Sequence, residues 1–265
     1  MSGPVIHPSS VIEHGSVLGD GVEIGPFCVV GPNVVLNDGV KLQSHVTIEG
    51  HTNIGERTII HPYAALGGPP QHRGYNGEPT TLEIGIDCVI REGVSVHIGM
   101  PSGHGRTVIG NNCMLMTNSH LGHDCCINDN VLIGHNAGLA GHVTIQEGAS
   151  IGPMAGIHQF VRIGAFSFVG GCAAVTQDLI PYGSAVGNHA ALGGLNIIGL
   201  KRSGLERATI HKMRSAYSAL FYDDRVGVFA ERVAQVAKDY SDIPEIVRII
   251  EFIHGSKKRG LMMAR

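Results

Sequence analysis

The residues best suited to chemistry fall in one run, Asn118-Ser119-His120-Leu121-Gly122-His123-Asp124. A neutral imidazole can take a proton from an attacking hydroxyl or amine and return it to a leaving group. Asp124, adjacent to His123, would fix the imidazole tautomer or raise its basicity. The theme repeats at a constant interval of three hexads, which separates Gly141 from His123, His142 from Asp124 and Gln159 from Gly141. With three hexads to a circuit, HLGHD, LAGHV and IHQFV become three stacked rungs. His120, His123, Asp124, Gly141, His142, His158 and Gln159 then converge on one patch. Acyl transfer fits this set, because a backbone N–H unencumbered by a Cβ, at Gly141, can meet the oxyanion formed when a carbonyl is attacked. Two other chemistries draw on the same stretch. Zn²⁺ could sit on His120, His123 and His142 with a water in the fourth position. An acyl-cysteine could form at Cys125-Cys126, although small thiols so near a repeat position are more commonly buried.

The repeat that must position these residues has a period of six. Aliphatic residues occupy every sixth position from Ile6 to Leu66, resume at Ile84, Ile90 and Val96, slip by one, and continue from Ile109 to Val175. Neither a helix nor an alternating strand selects every sixth residue over such a length. Hexads of this kind mark a parallel β-helix in which three faces make one coil, so that positions three hexads apart stack. Gly residues, 38 of 265, are expected at the corners, where a Cβ would clash. The intervals 67–83 and 97–108 interrupt the repeat, are rich in Gly and Pro, and read as loop excursions that carry binding groups. From Leu66 to Ile84 is one whole coil of sequence, so phase alone does not show that the first interval leaves the helix; Pro69-Pro70 and the lost aliphatic positions at His72 and Glu78 argue that it does. From Asn196 the periodicity turns helical. We therefore divide the chain into a β-helix over 1–192 and a small α-helical domain over 193–265, with three or four helices capping one end of the prism and Asp242 capping the last.

Composition bounds the function. Charge and hydrophobic content are those of a globular protein, and no apolar run reaches the ~20 residues of a spanning helix. The first residues lack the basic and apolar regions of a signal peptide, and six cysteines show no CxxC or disulfide framework, so a cytoplasmic protein with reduced thiols is expected. Residues 1–192 carry 6 Lys+Arg against 14 Asp+Glu, whereas 193–265 carry 13 against 8. The basic end would attract an anionic partner. An acidic body with few aromatics argues against nucleic acid.

Taken with the hexads, the motifs IGPFCVVGP (24–32), SHVTIEGHT (44–52), GEPT (77–80), NSHLGHDC (118–125), LAGHV (139–143), HQF (158–160), VGGC (169–172) and GNHA (187–190) carry a resemblance. The chain resembles the acyl-carrier-protein-dependent UDP-N-acetylglucosamine O-acyltransferases, which open lipid A biosynthesis. The resemblance implies a left-handed parallel β-helix with a C-terminal helical domain, a homotrimer, and active sites between subunits. It implies His123 as general base and Gly141 as oxyanion donor, with His120, His142, His158 and Gln159 lining the cleft. Asn196 and Arg202 match nucleotide-contacting positions, Gly171 and His189 match positions along the acyl groove, and Gln71 and His72 stand at the acceptor sugar. Acyl carrier protein and a UDP-amino-sugar are the implied partners, with no metal, no cofactor and no membrane insertion. Four positions depart from the family pattern. Gln71-His72-Arg73-Gly74 replaces Gln-Asp-x-Lys, Ile198 replaces an acidic residue, and Ser203 replaces a second arginine. A loop without lysine is compatible with an amine as acceptor, so transfer to a 3-amino sugar nucleotide, or a related N-acyltransfer, stays open beside transfer to a 3-hydroxyl. Gly171 leaves room for a 3-hydroxyacyl chain longer than ten carbons.

Overall fold

The computed structural model describes residues 3–222, 227–255 and 258–264. Each hexad contributes a short strand with one side chain outward and the next inward, as in Glu23–Ile24 and Thr144–Ile145. Among the described residues these strands form three sheets of eleven, nine and eight strands, parallel except for a closing antiparallel pair, Gly183–Val186 with Ala191–Leu195. The first sheet begins at Val5–Ile6, the second at Val11–Ile12 and the third at Val17–Leu18, so the chain visits each face in turn. Partners lie three hexads apart along most of the prism, as in Ile24↔Leu42 and Ile127↔Ile145.

Inward aliphatics from Ile24 to Val175 are buried almost completely. A second buried layer lies two places before most of them and is made largely of valine and smaller side chains, including Cys28, Cys88, Cys113, Cys125, Ala137 and Ala155, with Leu82 as a larger exception next to the first loop. The thiols of Cys28 and Cys125 point at backbone carbonyls of the next coil.

Both interruptions leave the coil, and both are shorter than the sequence intervals. Gly67–Gly68 and Thr81–Glu83 belong to strands, as do His97 and Arg106–Val108. Across the first loop the pairing steps by five hexads instead of three, from Ile54 to Ile84, so the excess is two whole hexads. Across the second it steps from Val96 to Leu121, one place beyond four hexads, which explains the slip in the repeat. The corners also differ from expectation. Left-handed backbone occurs at bulky and polar residues as well as at glycine, among them Phe27, Asp124, His142 and Phe160, with φ between 58° and 68°. Such a conformation costs roughly 1–2 kcal/mol for an L-residue. It is offset by a backbone bond to the coil beneath, as where His142 N donates to His123 O (2.9 Å) and Phe160 N to Gly141 O (3.3 Å).

Four helices follow: α1 (Ile197–Arg202), α2 (Arg207–Phe221), α3 (Phe229–Asp239) and α4 (Pro244–Gly255). α4 opens on Pro244 itself, which needs no N–H in a first turn, with Ile243 rather than Asp242 immediately before it. The helices are tied to the last coils: the Arg162 guanidinium lies over the Phe252 ring and donates to Phe252 O, and Arg248 pairs with Glu147. The segment after α4 pairs with the prism where Asp178 N donates to Gly260 O and Met262 N to Asp178 O.

Candidate active site

The HLGHD rung turns the corner between the second and third sheets. His120–Leu121 ends a strand of the second sheet and Cys126–Ile127 begins one of the third. His123 sits directly over Gly141. A Cβ built on Gly141 would lie 2.6 Å from Cε1 and 2.7 Å from Nε2 of the His123 ring. Glycine is therefore required at 141 for space rather than for backbone conformation, since its φ is not left-handed. Among the described residues the Gly141 N–H finds no acceptor, whereas other residues just before a left-handed corner, such as Ile86 and Ala165, donate to a side-chain oxygen. The distinguishing feature at 141 is the imidazole stacked on that glycine.

Asp124 is buried, and three N–H groups converge on its carboxylate. Met100 N (3.0 Å) and His104 N (2.7 Å) donate to it, and His123 Nδ1 lies 2.7 Å from Oδ2. An ionised carboxylate only accepts, so His123 Nδ1 carries the proton and Nε2 keeps its lone pair for a substrate. His142 stacks on Phe160 and meets His123 edge-on at 5.0 Å; burial pulls its pKa down and favours the neutral ring. His120 bonds Ser95 Oγ through Nδ1 (2.8 Å) and meets His97 edge-on, and burial lowers its pKa too.

His97 is buried, and burial together with the neighbouring His120 and His123 depresses it to about 4 from its ordinary 6.5. An unfolded chain therefore takes up this proton first as pH falls. The stability His97 contributes is complete above pH 6.5 and is lost between about 6.5 and 4. The thermal midpoint of the wild type should drop across that window, and His97→Gln should shallow the drop. An identical slope in both proteins would remove His97 as a contributor.

These groups face a cleft of about 590 Å³. Of the residues singled out in the sequence, Gln71, His72, His120, His123, Gly141, His158 and Gln159 line it. His72 reaches in from the first loop, its ring edge-on to His123 at 5.7 Å. Asp124 and His142 lie outside the lining, within contact of His123. His189 pairs with Ala174 at the end of the cleft, whereas Gly171 lies over Pro153 and is not part of the lining. Asn196 and Arg202 are elsewhere. The Asn196 side chain accepts from Gly199 N, capping α1, and donates to Phe166 O at the corner between the third and first sheets; Arg202 is exposed at the end of α1.

Two sets of site residues escaped the sequence reading. Stepping from His120 by three hexads at a time yields Gly138, Gly156 and Ala174, a floor almost without side chains; the same arithmetic that placed Gly141 would have found it. Ser95 and its neighbour His97 reach His120 across a loop that is no whole number of hexads, so the three-hexad rule could not. The alternatives fare differently. Cys125 is buried with its thiol pushed up to about 12, unsuited to nucleophilic attack at neutral pH. His120 and His123 are held through Nδ1 and keep Nε2 open, but among the described residues the His/Asp group with metal-ligand spacing is another one, His104, Asp124 and His142.

Residues 178–262 match the family described as Udp N-acetylglucosamine O-acyltransferase; Domain 2, and residues 1–32, 15–50 and 106–141 match the bacterial transferase hexapeptide (six repeats). An acyl-[acyl-carrier-protein]–UDP-N-acetylglucosamine O-acyltransferase of Rhizobium etli is 44% identical over 78% of this chain and 76% of its own. One from Brucella ovis is 48% identical over 78% and 74%. The crystal structure of the UDP-N-acetylglucosamine O-acyltransferase of Moraxella catarrhalis superposes with a TM-score of 0.92 at 37% identity, covering 97% of this chain and 99% of that one. The chain belongs to the UDP-N-acetylglucosamine O-acyltransferase family. Its fold is accordingly the left-handed parallel β-helix with a C-terminal helical region. The structure of the Arabidopsis UDP-N-acetylglucosamine acyltransferase also superposes, at 31% identity and a TM-score of 0.87 over 97% of this chain and all of that one. The match to the second domain of these O-acyltransferases takes in His189, Asn196 and Arg202. Of the departures there, Ile198 is exposed on α1, and Ser203 caps that helix by donating from Oγ to Leu200 O.

Proposed function

We propose that this protein moves an (R)-3-hydroxyacyl group from acyl carrier protein to the 3-hydroxyl of UDP-N-acetylglucosamine, the first step of lipid A biosynthesis. Family membership supports the substrates. One arrangement supports the chemistry: an imidazole stacked on Gly141, with Nδ1 held by buried Asp124. Nε2 of His123 takes the hydroxyl proton as the oxygen attacks the thioester carbonyl. The Gly141 N–H donates to the oxyanion. As the C–S bond breaks, the imidazolium gives its proton to the departing thiolate, and the base is restored. This route employs no metal, cofactor or acyl-enzyme.

Gln71 and His72 would meet the acceptor sugar, while His120, His158 and Gln159 hold the reacting ends. From His120 the floor of Gly138, Gly156 and Ala174 descends three rungs, about 14 Å at ~4.8 Å each, toward His189. We assign the acyl chain to it. A Cβ on Gly156 would meet open space, so a longer side chain there fills the groove without disturbing the fold. Gly156→Leu is expected to favour shorter acyl donors by on the order of tenfold, measured as the ratio of kcat/KM for two donor lengths. An unchanged ratio would place the chain elsewhere.

Exposed Lys201, Arg202, Arg207, Lys212 and Arg214 on α1 and α2 suit an acidic carrier protein. Since Asn196 and Arg202 lie away from the cleft of their own chain, their contact with the nucleotide calls for another copy, which supports a homotrimer; analytical ultracentrifugation checks the mass. Among the described residues no helix is long and apolar enough to cross a membrane. We place the enzyme in the cytoplasm with its carrier protein.

Mass spectrometry of the product from 3-hydroxyacyl carrier protein and competing sugar nucleotides tests the whole reading. An ester of UDP-N-acetylglucosamine is expected. Preference for the 3-amino analogue would instead establish the amide reading that the lysine-free loop at Gln71–Gly74 keeps open, and no product from either would end the acyltransferase assignment.

A further inference from the structure

Asp124 faces a second pair of imidazoles that the proposed reaction does not need as a pair. The second loop lies across its carboxylate, anchored by the Met100 and His104 amides, with Gly103 so close that a Cβ there would touch the carboxylate. This brings the exposed ring of His104 edge-on to His142, with centroids 5.9 Å apart. His142 Nε2 stands 3.8 Å from Asp124 Oδ2. One ligand atom from each of His104, Asp124 and His142 lies within 4.8 Å of the other two. His104 borders two openings, one shared with Asp124 and one with His142, and neither is the catalytic cleft.

We propose that His104, Asp124 and His142 form an inhibitory site for a divalent transition-metal ion, with Zn²⁺ as its best fit. Two imidazoles and one carboxylate suit zinc, whereas Mg²⁺ and Ca²⁺ demand oxygen donors. Bonds of about 2.0–2.2 Å place tetrahedral ligand atoms roughly 3.4 Å apart. Asp124 and His142 are already near that spacing, and His104, exposed on its loop, supplies the remaining movement. Water takes the fourth position. The bound ion draws on the carboxylate that holds His123 and sets a positive charge beside it. The imidazolium that must form at His123 during transfer is then disfavoured, and turnover falls. Inhibition rests on the roles proposed above for His123 and Asp124; metal binding does not, so the two can fail separately.

The test uses the full-length, metal-stripped enzyme. Zn²⁺ is titrated by calorimetry, Co²⁺ is followed through its visible absorption, and acyl transfer is assayed at increasing Zn²⁺. The wild type should bind one ion per chain and lose activity as the site fills. His104→Phe should weaken binding on the order of tenfold or more and relieve the inhibition by the same factor, read as the ratio of transfer rates with and without zinc within each variant. His104→Cys, which restores a ligand, should recover both binding and inhibition. Equal zinc affinity in wild type and His104→Phe would overturn the site. Binding that follows His104 while transfer stays insensitive to zinc would overturn the coupling to His123.

Discussion

His123→Ala is expected to reduce kcat by about 10²–10⁴-fold, the range supplied by a positioned general base. The loss should appear in kcat more than in KM, because the lone pair is used only as the hydroxyl proton leaves. The fold should be unaffected. Asp124 keeps its bonds from the Met100 and His104 amides, and His123 contributes its backbone carbonyl to His142 whatever side chain it carries. Equal thermal midpoints for wild type and variant, with turnover lost, would separate catalysis from folding. Added imidazole should restore part of the rate in the emptied space. A variant turning over near the wild-type rate would eliminate His123 as the base and with it the mechanism.

The second large effect is expected at a residue with no side chain. Gly141→Ala meets no backbone obstacle, but its methyl group would fall within about 3 Å of three His123 ring atoms, inside normal contact distance. The ring must tilt away from both Asp124 and the Gly141 amide. Displacing a reacting group by an ångström costs about 10²-fold, and we expect a fall in kcat of that order even though the 141 N–H is retained. Retention of full activity by Gly141→Ala would show that the close stack is not required, leaving only the amide to account for the glycine.

The path from residues to this site was legible because the repeat converts sequence distance into position. Every inward hexad residue is aliphatic, so a coil of three hexads can be counted, and counting alone brings His123 over Gly141. The same logic fails wherever chain is added outside the coil. An excess of whole hexads between Leu66 and Ile84 leaves the phase unbroken, so phase alone does not reveal that Ile84 stacks on Ile54, and only Pro69-Pro70 and the lost aliphatic positions at His72 and Glu78 signal the departure. Ser95 and His97 belong beneath His120 for a similar reason, a loop having replaced the regular step with one that is no whole number of hexads. His104 was illegible for a different reason. Its position depends on two loop amides finding the Asp124 carboxylate, a tertiary event with no periodic trace. Corners were misread through composition: glycine abundance pointed to them, yet Asp124 and His142 take left-handed backbone themselves because the ladder compensates for it.

The first loop has an implication for how such a protein can change. Removing 69–80 would splice Gly68 to Thr81 and leave Leu66 six places before Ile84, the spacing of an uninterrupted corner. That segment, which bears Gln71 and His72, is thus a cassette: it can be swapped, lengthened by whole hexads or discarded without re-registering the layers on either side. The contacts proposed for the acceptor can drift there while the residues one edge away stay fixed.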